Sequence, residues 1–146
     1  MSTDKLRLAR ELGAAHALDG KDPRLADQLR ELTGGRGVSA AFDFVGSDAT
    51  LALAVGATRA LGKVSQIGLA GGAARLKVPE NTRFEVQFEA TLWGTIKELR
   101  EVIALAESGQ LTSIPIEVAP LHRINEVYAR LKRGEIQGRA VIQPAA

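Results

Sequence analysis

Residues 38–72 have the sequence VSAAFDFVGSDATLALAVGATRALGKVSQIGLAGG. Residues 38–45 are almost continuously apolar, which is typical of a parallel-sheet strand that is covered on both faces. A glycine and a serine end this strand, and Asp48 is a good cap for a helix whose apolar face runs to Leu61. A second strand at residues 63–69 leads into a turn of alanine and glycine. The segment therefore predicts strand, helix and strand in succession, the repeating unit of a parallel α/β sheet.

Upstream of this segment the sequence predicts two helices and a short strand. Leu6, Ala9 and Leu12 recur at helical spacing and are followed by a glycine, which predicts a first helix. Residues 14–18 are small and apolar and precede an Asp-Gly turn, so we expect a brief buried strand there. Pro23 suits the first turn of a second helix, because its missing N–H costs nothing at that position.

Downstream, strands and helices continue to alternate. We expect, in order, a short edge strand, a strand, a helix, a strand, a helix and a final strand, at residues 75–78, 88–93, 99–106, 114–118, 124–131 and 140–142. The predicted fold class is therefore α/β, with a parallel sheet and flanking helices.

The composition is that of a globular domain, and it excludes several kinds of site. The 146 residues include no cysteine, which excludes disulfides, a catalytic thiolate and cysteine-ligated zinc. The formal net charge is only +2, and the two signs alternate along the chain, which argues against nucleic-acid and membrane-surface partners. No apolar run approaches the roughly 20 residues of a membrane span. We therefore expect a soluble, cytoplasmic protein.

Five groups of short motifs follow one another in a specific order and spacing, although none is diagnostic alone. They are KLRLARELGA at residues 5–14, GGRG leading to FDFVG at residues 34–46, GKV leading to IGL at residues 62–69, LWGT at residues 92–95, and INE leading to GRAV at residues 124–141. Together they resemble the C-terminal part of the medium-chain, zinc-type alcohol dehydrogenases. The resemblance implies an incomplete Rossmann-like sheet, NAD or NADP as coenzyme, and hydride transfer between an alcohol or carbonyl and nicotinamide.

The resemblance also implies that parts of such an enzyme are missing. In the family, a G-x-G-x-x-G turn that holds the pyrophosphate lies upstream of the first motif, and this sequence contains no such turn. The family's zinc ligands also lie upstream, in a separate catalytic domain. We therefore interpret residues 1–95 as a partial dinucleotide-binding domain without its first two strands. Residues 96–146 correspond to a segment that returns to the catalytic domain in the family.

Nine residues are assigned to the coenzyme by this resemblance. Lys5 would lie near the adenosine ribose and Arg139 near the pyrophosphate, although each could equally be a solvated surface cation. The other seven lie at strand ends, where open α/β sheets bind ligands. They are Phe44, Val45 and Gly46 beside the adenine, Ile67, Gly68 and Leu69 beside the nicotinamide carboxamide, and Trp93 beside the nicotinamide. The alternative is that their apolar side chains fill the core and their glycines only end strands.

No catalytic or metal-binding residue is predicted within the chain. His16 and His122 are the only histidines, and neither is assigned a role in proton transfer. Asp43 and Glu85 are interpreted as isolated acids. We therefore expect a truncated dehydrogenase that is inactive alone, and the sequence determines neither its substrate nor the choice between NAD and NADP.

The missing strands would leave an open sheet edge. An unpaired apolar edge at residues 40–45 is a template for another strand, so we expect the chain either to repack its first strand there or to self-associate. Dimerisation in the family near residues 75–79 also predicts a homo-oligomer, a dimer or larger, formed by strand addition. The alternative function, from a different class, is a non-catalytic α/β module for self-association.

Overall fold

The computed structural model describes residues 3–73 and 85–144. The chain divides into two compact units. The three-stranded unit is Leu18–Thr95, and the two-stranded unit is Met1–Ala17 together with Ile96–Ala146. Every strand pairing within the described residues is parallel, and helices flank the strands, which confirms the predicted α/β class. The division of roles between residues 1–95 and 96–146 stays a prediction.

The secondary-structure elements of the described residues are numbered in chain order. The helices are α1 (Thr3–Glu11), α2 (Leu25–Leu32), α3 (Asp48–Ala57), α4 (Ile96–Glu107) and α5 (Ile124–Lys132), with a 3-10 turn at Leu121–Arg123. The strands are β1 (Val38–Asp43), β2 (Thr58–Gln66), β3 (Gln87–Ala90), β4 (Ile116–Pro120) and β5 (Arg139–Gln143). The strand, helix and strand predicted from residues 38–72 are thus present as β1, α3 and β2.

The three-stranded unit has the strand order β1-β2-β3. Helix α3 connects β1 to β2 and packs on both strands, burying Leu51 of the helix and Val64 of β2. The N-cap of α3 is Ser47, one residue before the predicted cap. Its hydroxyl accepts from the Thr50 N–H, and the Thr50 hydroxyl accepts in return from the Ser47 N–H. This capping box fixes where the chain turns from β1 into the helix.

The predicted boundary between α3 and β2 was wrong. Helix α3 ends at Ala57, and β2 begins at the next residue, Thr58, so Leu61 belongs to the strand and not to the helix. The Thr58 hydroxyl donates to the carbonyl oxygen of Ala54 at 2.7 Å and satisfies one of the last helical carbonyls. Thr58 is also paired with Val38 of β1, which extends the strand. The helix was predicted to reach Leu61 from the spacing of apolar residues. That spacing contains no information about the pairing of Thr58 with Val38.

Two other predictions about strands were wrong. Residues 14–18 form no strand, because no strand among the described residues lies beside them to complete a ladder. Strand β1 is not covered on both faces, and the side chain of Phe42 is 65% exposed. Since β1 pairs with β2 alone among the described strands, it is an edge strand. The predicted open edge is therefore present, whereas its pairing with another strand is untested.

In the two-stranded unit, β4 and β5 form a separate parallel sheet. Its core contains Ala119, Val127 and Ile136, and Arg130 of α5 makes a two-pronged ion pair with Glu117 of β4 at 2.9 Å for both contacts. Helix α4 buries none of its residues. Its exposed apolar side chains are Ile96, Leu99, Val102, Ile103 and Leu105.

Two further expectations concern an edge strand and membrane-spanning helices. The edge strand predicted at residues 75–78, and the dimer contact predicted near it, lie outside the described residues. Among residues 3–73 and 85–144, none of the helices combines the length and the apolar character that crossing a bilayer requires.

The substitution Val64→Ala tests the core of the three-stranded unit. Val64 is fully buried, so we expect the free energy of unfolding to fall by roughly 2 kcal/mol from lost burial and an unfilled cavity. Urea denaturation followed by far-ultraviolet circular dichroism measures the change. Val45→Ala removes the same atoms from a half-exposed side chain and is the matched control. Equal losses for the two variants would contradict the assignment of Val64 to the core.

Candidate functional site

The ends of β1 and β2 are joined through their backbones. The N–H groups of Ile67 and Gly68 both donate to the carbonyl oxygen of Asp43, each at 2.9 Å. Two further bonds continue this pairing beyond the strands: Ala70 N–H to Val45 O at 3.0 Å and Gly72 N–H to Gly46 O at 2.9 Å. Residues 43–46 and 67–72, called here the two tips, therefore form one hydrogen-bonded structure at the carboxyl edge of the sheet.

Glycine is required where the two tips touch. A Cβ atom on Gly68 would lie 2.2 Å from the carbonyl carbon of Val45 and 2.4 Å from that of Phe44. Gly46 has a φ of 73°, and a Cβ atom there would lie 2.1 Å from the carbonyl oxygen of Gly68. Any larger residue at either position would push the tips apart.

Asp43 is bonded to both tips. Its side chain is 5% exposed, and its Oδ1 accepts from the N–H groups of Val45 at 2.9 Å and Gly46 at 3.0 Å. Burial by itself raises the pKa of Asp43, but the donors from Gly46 and Val45 outweigh it and hold the pKa below its ordinary value of 3.8. The carboxylate is therefore ionised at neutral pH.

The interpretation of Asp43 as an isolated acid missed the hydrogen bonds that its carboxylate accepts from the backbone. A signal for its role is present in the sequence, because Asp43 is the one charged residue in the apolar run 38–45 and stands directly before a glycine-containing turn. Aspartate side chains commonly accept from backbone N–H groups two or three residues further along the chain.

A cleft of about 340 Å³ opens beside the two tips. It is lined by Gly46, Leu51, Gln66, Gly68, Leu69, Gly71, Gly72 and Phe88. Leu69 and Gly71 are lining residues whose N–H groups donate to no other group in the described part of the chain. The Gln66 side-chain amide donates to the carbonyl oxygen of Gly68.

The structure brings six of the nine predicted coenzyme residues together. Residues 44–46 lie beside residues 67–69, and Gly46, Gly68 and Leu69 line the cleft. Phe44 is 74% exposed, so the alternative interpretation of this side chain as core is not supported. Leu51, Gln66 and Phe88 were missed, because only the packing of α3 and the pairing of β2 with β3 place them at the cleft. Contact of any of these residues with a coenzyme stays a prediction.

Trp93 lies beyond the end of β3, although the strand was predicted to include it. The strand ends at Ala90, and the N–H of Thr91 donates to the carbonyl oxygen of Gln66 at 2.9 Å. Trp93 has a φ of 61°, and its side chain is 88% exposed. It is not among the residues that line the cleft. Its predicted place beside the nicotinamide is untested.

Lys5 and Arg139 belong to the two-stranded unit. A Cβ atom on Gly134 would lie 3.7 Å from Lys5 Nζ, so the ammonium is near the C-terminal end of α5, where the helix dipole favours a cation. Arg139 is exposed at the start of β5, and its backbone N–H donates to Pro115 O at 2.9 Å. Their predicted contacts with the ribose and pyrophosphate stay predictions.

The residues present do not fit a zinc site. No group of three histidine, aspartate or glutamate side chains that could hold a metal ion occurs among residues 3–73 and 85–144. The whole sequence contains no cysteine. Chemistry that depends on a metal is therefore not assigned to side chains of the described chain.

The sequence profile of the zinc-binding dehydrogenases matches residues 1–108 of the chain. The chain belongs to this family. The resemblance drawn from the five groups of motifs is thereby confirmed. The match falls on the C-terminal, coenzyme-binding part of the longer zinc-binding dehydrogenases.

Several named relatives illustrate the membership. The NAD-dependent alcohol dehydrogenase of Sulfolobus acidocaldarius is 32% identical over 148 residues, and the D-arabinose 1-dehydrogenase (NADP(+)) of Saccharolobus solfataricus is 30% identical over 136 residues. The crystal structure of the alcohol dehydrogenase from Aeropyrum pernix matches 99% of this chain with a TM-score of 0.88 and 39% identity. A quinone oxidoreductase of Pseudomonas syringae, at 22% identity and a TM-score of 0.77, shares the fold.

This zinc-binding dehydrogenase chain spans about two fifths of the length of such relatives. The alignment with the Sulfolobus acidocaldarius enzyme covers 98% of this chain and 41% of the relative. The alignment with the Aeropyrum pernix structure covers 41% of that chain. The relatives' activities are thus properties of longer chains.

The substitution Asp43→Asn should lower stability at neutral pH and lose its effect in acid. The folded pKa of Asp43 is depressed, so the carboxylate's contribution to stability is complete above the ordinary value of 3.8 and is lost as pH falls through the lower folded pKa. Urea unfolding of both proteins from pH 7 down to strongly acidic buffer measures the difference. A difference that grows in acid would contradict the assigned direction.

Proposed function

We propose that the cleft beside the two tips holds part of a nicotinamide dinucleotide, and that this chain is the coenzyme-binding portion of an NAD(P)-dependent alcohol dehydrogenase. The observation that carries the proposal is the direct joining of the two tips at the carboxyl edge of a parallel sheet, with a cleft beside them. Open α/β sheets bind their ligands at this edge. Family membership supports the same conclusion.

The lining of the cleft suits such a ligand. Leu51, Leu69 and Phe88 supply apolar surface on which a planar ring can lie, as in most small-molecule sites. The N–H groups of Leu69 and Gly71, which donate to no group among the described residues, can donate to a carboxamide or phosphate oxygen. These groups are backbone donors, so the cleft needs no reactive side chain to hold a coenzyme.

In the proposed enzyme, this chain binds the coenzyme and the coenzyme carries out the chemistry. The bound nicotinamide supplies the hydride chemistry, and residues of this chain hold and orient the coenzyme. In the proposal, residues 44–46 and 67–69 contact it directly, with Trp93 as a further contact. Residues 1–95 are the coenzyme portion, and residues 96–146 pack on the catalytic portion of the longer enzyme, which supplies zinc and the alcohol site. The chain alone binds coenzyme without turnover.

The substitution Leu69→Glu tests the cleft without disturbing the core. Leu69 is 77% exposed and lines the cleft, so a carboxylate there should repel the dinucleotide phosphates and weaken binding roughly tenfold, or about 1.4 kcal/mol. Titration with NADH, followed by nicotinamide fluorescence and Trp93 quenching, measures the dissociation constant.

The control for this titration is Leu61→Glu. Leu61 is 70% exposed and does not line the cleft, so its variant should bind NADH as the unsubstituted chain does. No saturable binding of NADH by the unsubstituted chain would overturn the proposed function. Equal weakening by the two glutamates would mean that NADH binds elsewhere on the chain.

Self-association is a second candidate function, favoured by the open edge of β1. Phe42 is exposed on this edge strand, whose backbone is paired only with β2 among the described strands. An exposed apolar edge is a surface to which a second copy of the chain can add a strand. The two functions are compatible, because the edge and the cleft use different groups.

The substitution Phe42→Glu tests this candidate. A charge on an edge strand opposes strand addition, so we expect sedimentation velocity to show a concentration-dependent oligomer for the unsubstituted chain and a monomer for the variant. Leu61→Glu again serves as the control for added charge. A folded monomer of the unsubstituted chain at high concentration would rule out this function.

A further inference from the structure

We propose that Asp43 is the positioning residue of the dinucleotide cleft: it fixes the spacing of the two tips by accepting four backbone N–H groups at once. The inference takes the ligand from the proposed function and adds the residue that shapes its site. Asp43 does not line the cleft, so it acts through the residues it holds.

The four bonds divide between two acceptors of the same residue. Oδ1 accepts from Val45 and Gly46 and folds the first tip back on itself. The carbonyl oxygen accepts from Ile67 and Gly68 and brings the second tip alongside. Both tips are therefore hydrogen-bonded to the same residue, Asp43.

Two of the four residues that donate to Asp43 line the cleft. Gly46 and Gly68 line it, and they approach so closely that neither tolerates a Cβ atom. The N–H of Leu69 belongs to the peptide group that follows Gly68, so the position of Gly68 sets its orientation. If Oδ1 were removed, the N–H groups of Val45 and Gly46 would be left without their acceptor, and the first tip would lose the bonds that fold it.

Packing alone does not explain a carboxylate at this position. Oδ2 is buried and accepts no hydrogen bond within the described residues, which carries a desolvation cost. A buried residue chosen only to fill space would avoid that cost. The ionised group does, however, strengthen the two bonds at Oδ1, because N–H donors bind a charged acceptor more tightly than a neutral one. The carboxylate therefore stabilises the folded-back conformation of the first tip.

The test compares Asp43→Ala, which removes the side-chain acceptor and keeps the backbone carbonyl, with Asp43→Asn, which keeps an oxygen at Oδ1. Amide hydrogen exchange is measured without nucleotide at Val45, Gly46, Ile67 and Gly68, with the buried strand residue Val64 as an internal reference. We expect the alanine variant to accelerate exchange at Val45 and Gly46, whose side-chain acceptor is removed, at least about tenfold relative to Val64, and the asparagine variant to restore most of the protection. Ile67 and Gly68 keep the backbone carbonyl of residue 43 as their acceptor, so faster exchange there reports displacement of the second tip. A merely structural role would accelerate Val64 by the same factor.

NADH titration of the same variants links the tips to the ligand. We expect Asp43→Ala to weaken binding at least about tenfold and Asp43→Asn by less than about threefold. Ser65→Ala is the matched control, because Ser65 is a buried polar residue of β2 that does not line the cleft. Its variant should bind NADH normally.

The outcomes separate this inference from the proposed function. Unchanged tip exchange or unchanged NADH affinity in a folded Asp43→Ala variant would overturn the positioning role. If Asp43→Ala accelerates tip exchange but the unsubstituted chain binds no NADH, the proposed function is overturned. Asp43 then remains the residue that spaces the tips. If Asp43→Ala does not fold, Asp43→Glu displaces the acceptor while keeping its charge, and it must accelerate tip exchange for the inference to stand.

Discussion

The interaction on which the rest of the site depends is the convergence of four backbone N–H groups on Asp43. Strand ends in a parallel sheet leave N–H and C=O groups without ladder partners, and such groups need other acceptors when they are buried. Here one buried residue supplies both the side-chain acceptor and the carbonyl that these groups require. The hydrogen bonds that end β1 therefore also determine where the chain after β2 lies.

This constraint explains the composition of the two tips. Once the backbones are held in contact, Gly46 and Gly68 are the residues that fit, because a side chain at either position would meet carbonyl atoms of the opposite tip. The cleft then lies beside hydrogen-bonded backbone, with apolar side chains from α3 and β3 completing its lining. In the proposed function, the coenzyme is held there through backbone donors and surface shape, and its reaction partners lie in the rest of a longer enzyme.

Two parts of the chain expose apolar side chains, the edge strand β1 and helix α4. Among the strands of residues 3–73 and 85–144, β1 has a neighbour on one side only, and α4 exposes apolar side chains. Apolar surface of this extent is typical of a face that another structure covers. The chain also spans about two fifths of the length of its relatives. Within the two-stranded unit, the small core of Ala119, Val127 and Ile136 is supplemented by the ion pair between Glu117 and Arg130.

The sequence alone indicated the family, through the resemblance carried by the order and spacing of its motifs. It also determined the α/β class and most of the helices and strands, because apolar periodicity, caps and glycine stops are local properties. It also placed residues 44–46 and 67–69 at strand ends. Tertiary structure decided the rest. The end of α3, the absence of a strand at residues 14–18, the exposure of β1 and the lining by Leu51, Gln66 and Phe88 depend on which strands pair. The role of Asp43 was decided there too, since its two acceptors are filled by groups from both tips, and only folding brings the second tip within hydrogen-bonding distance.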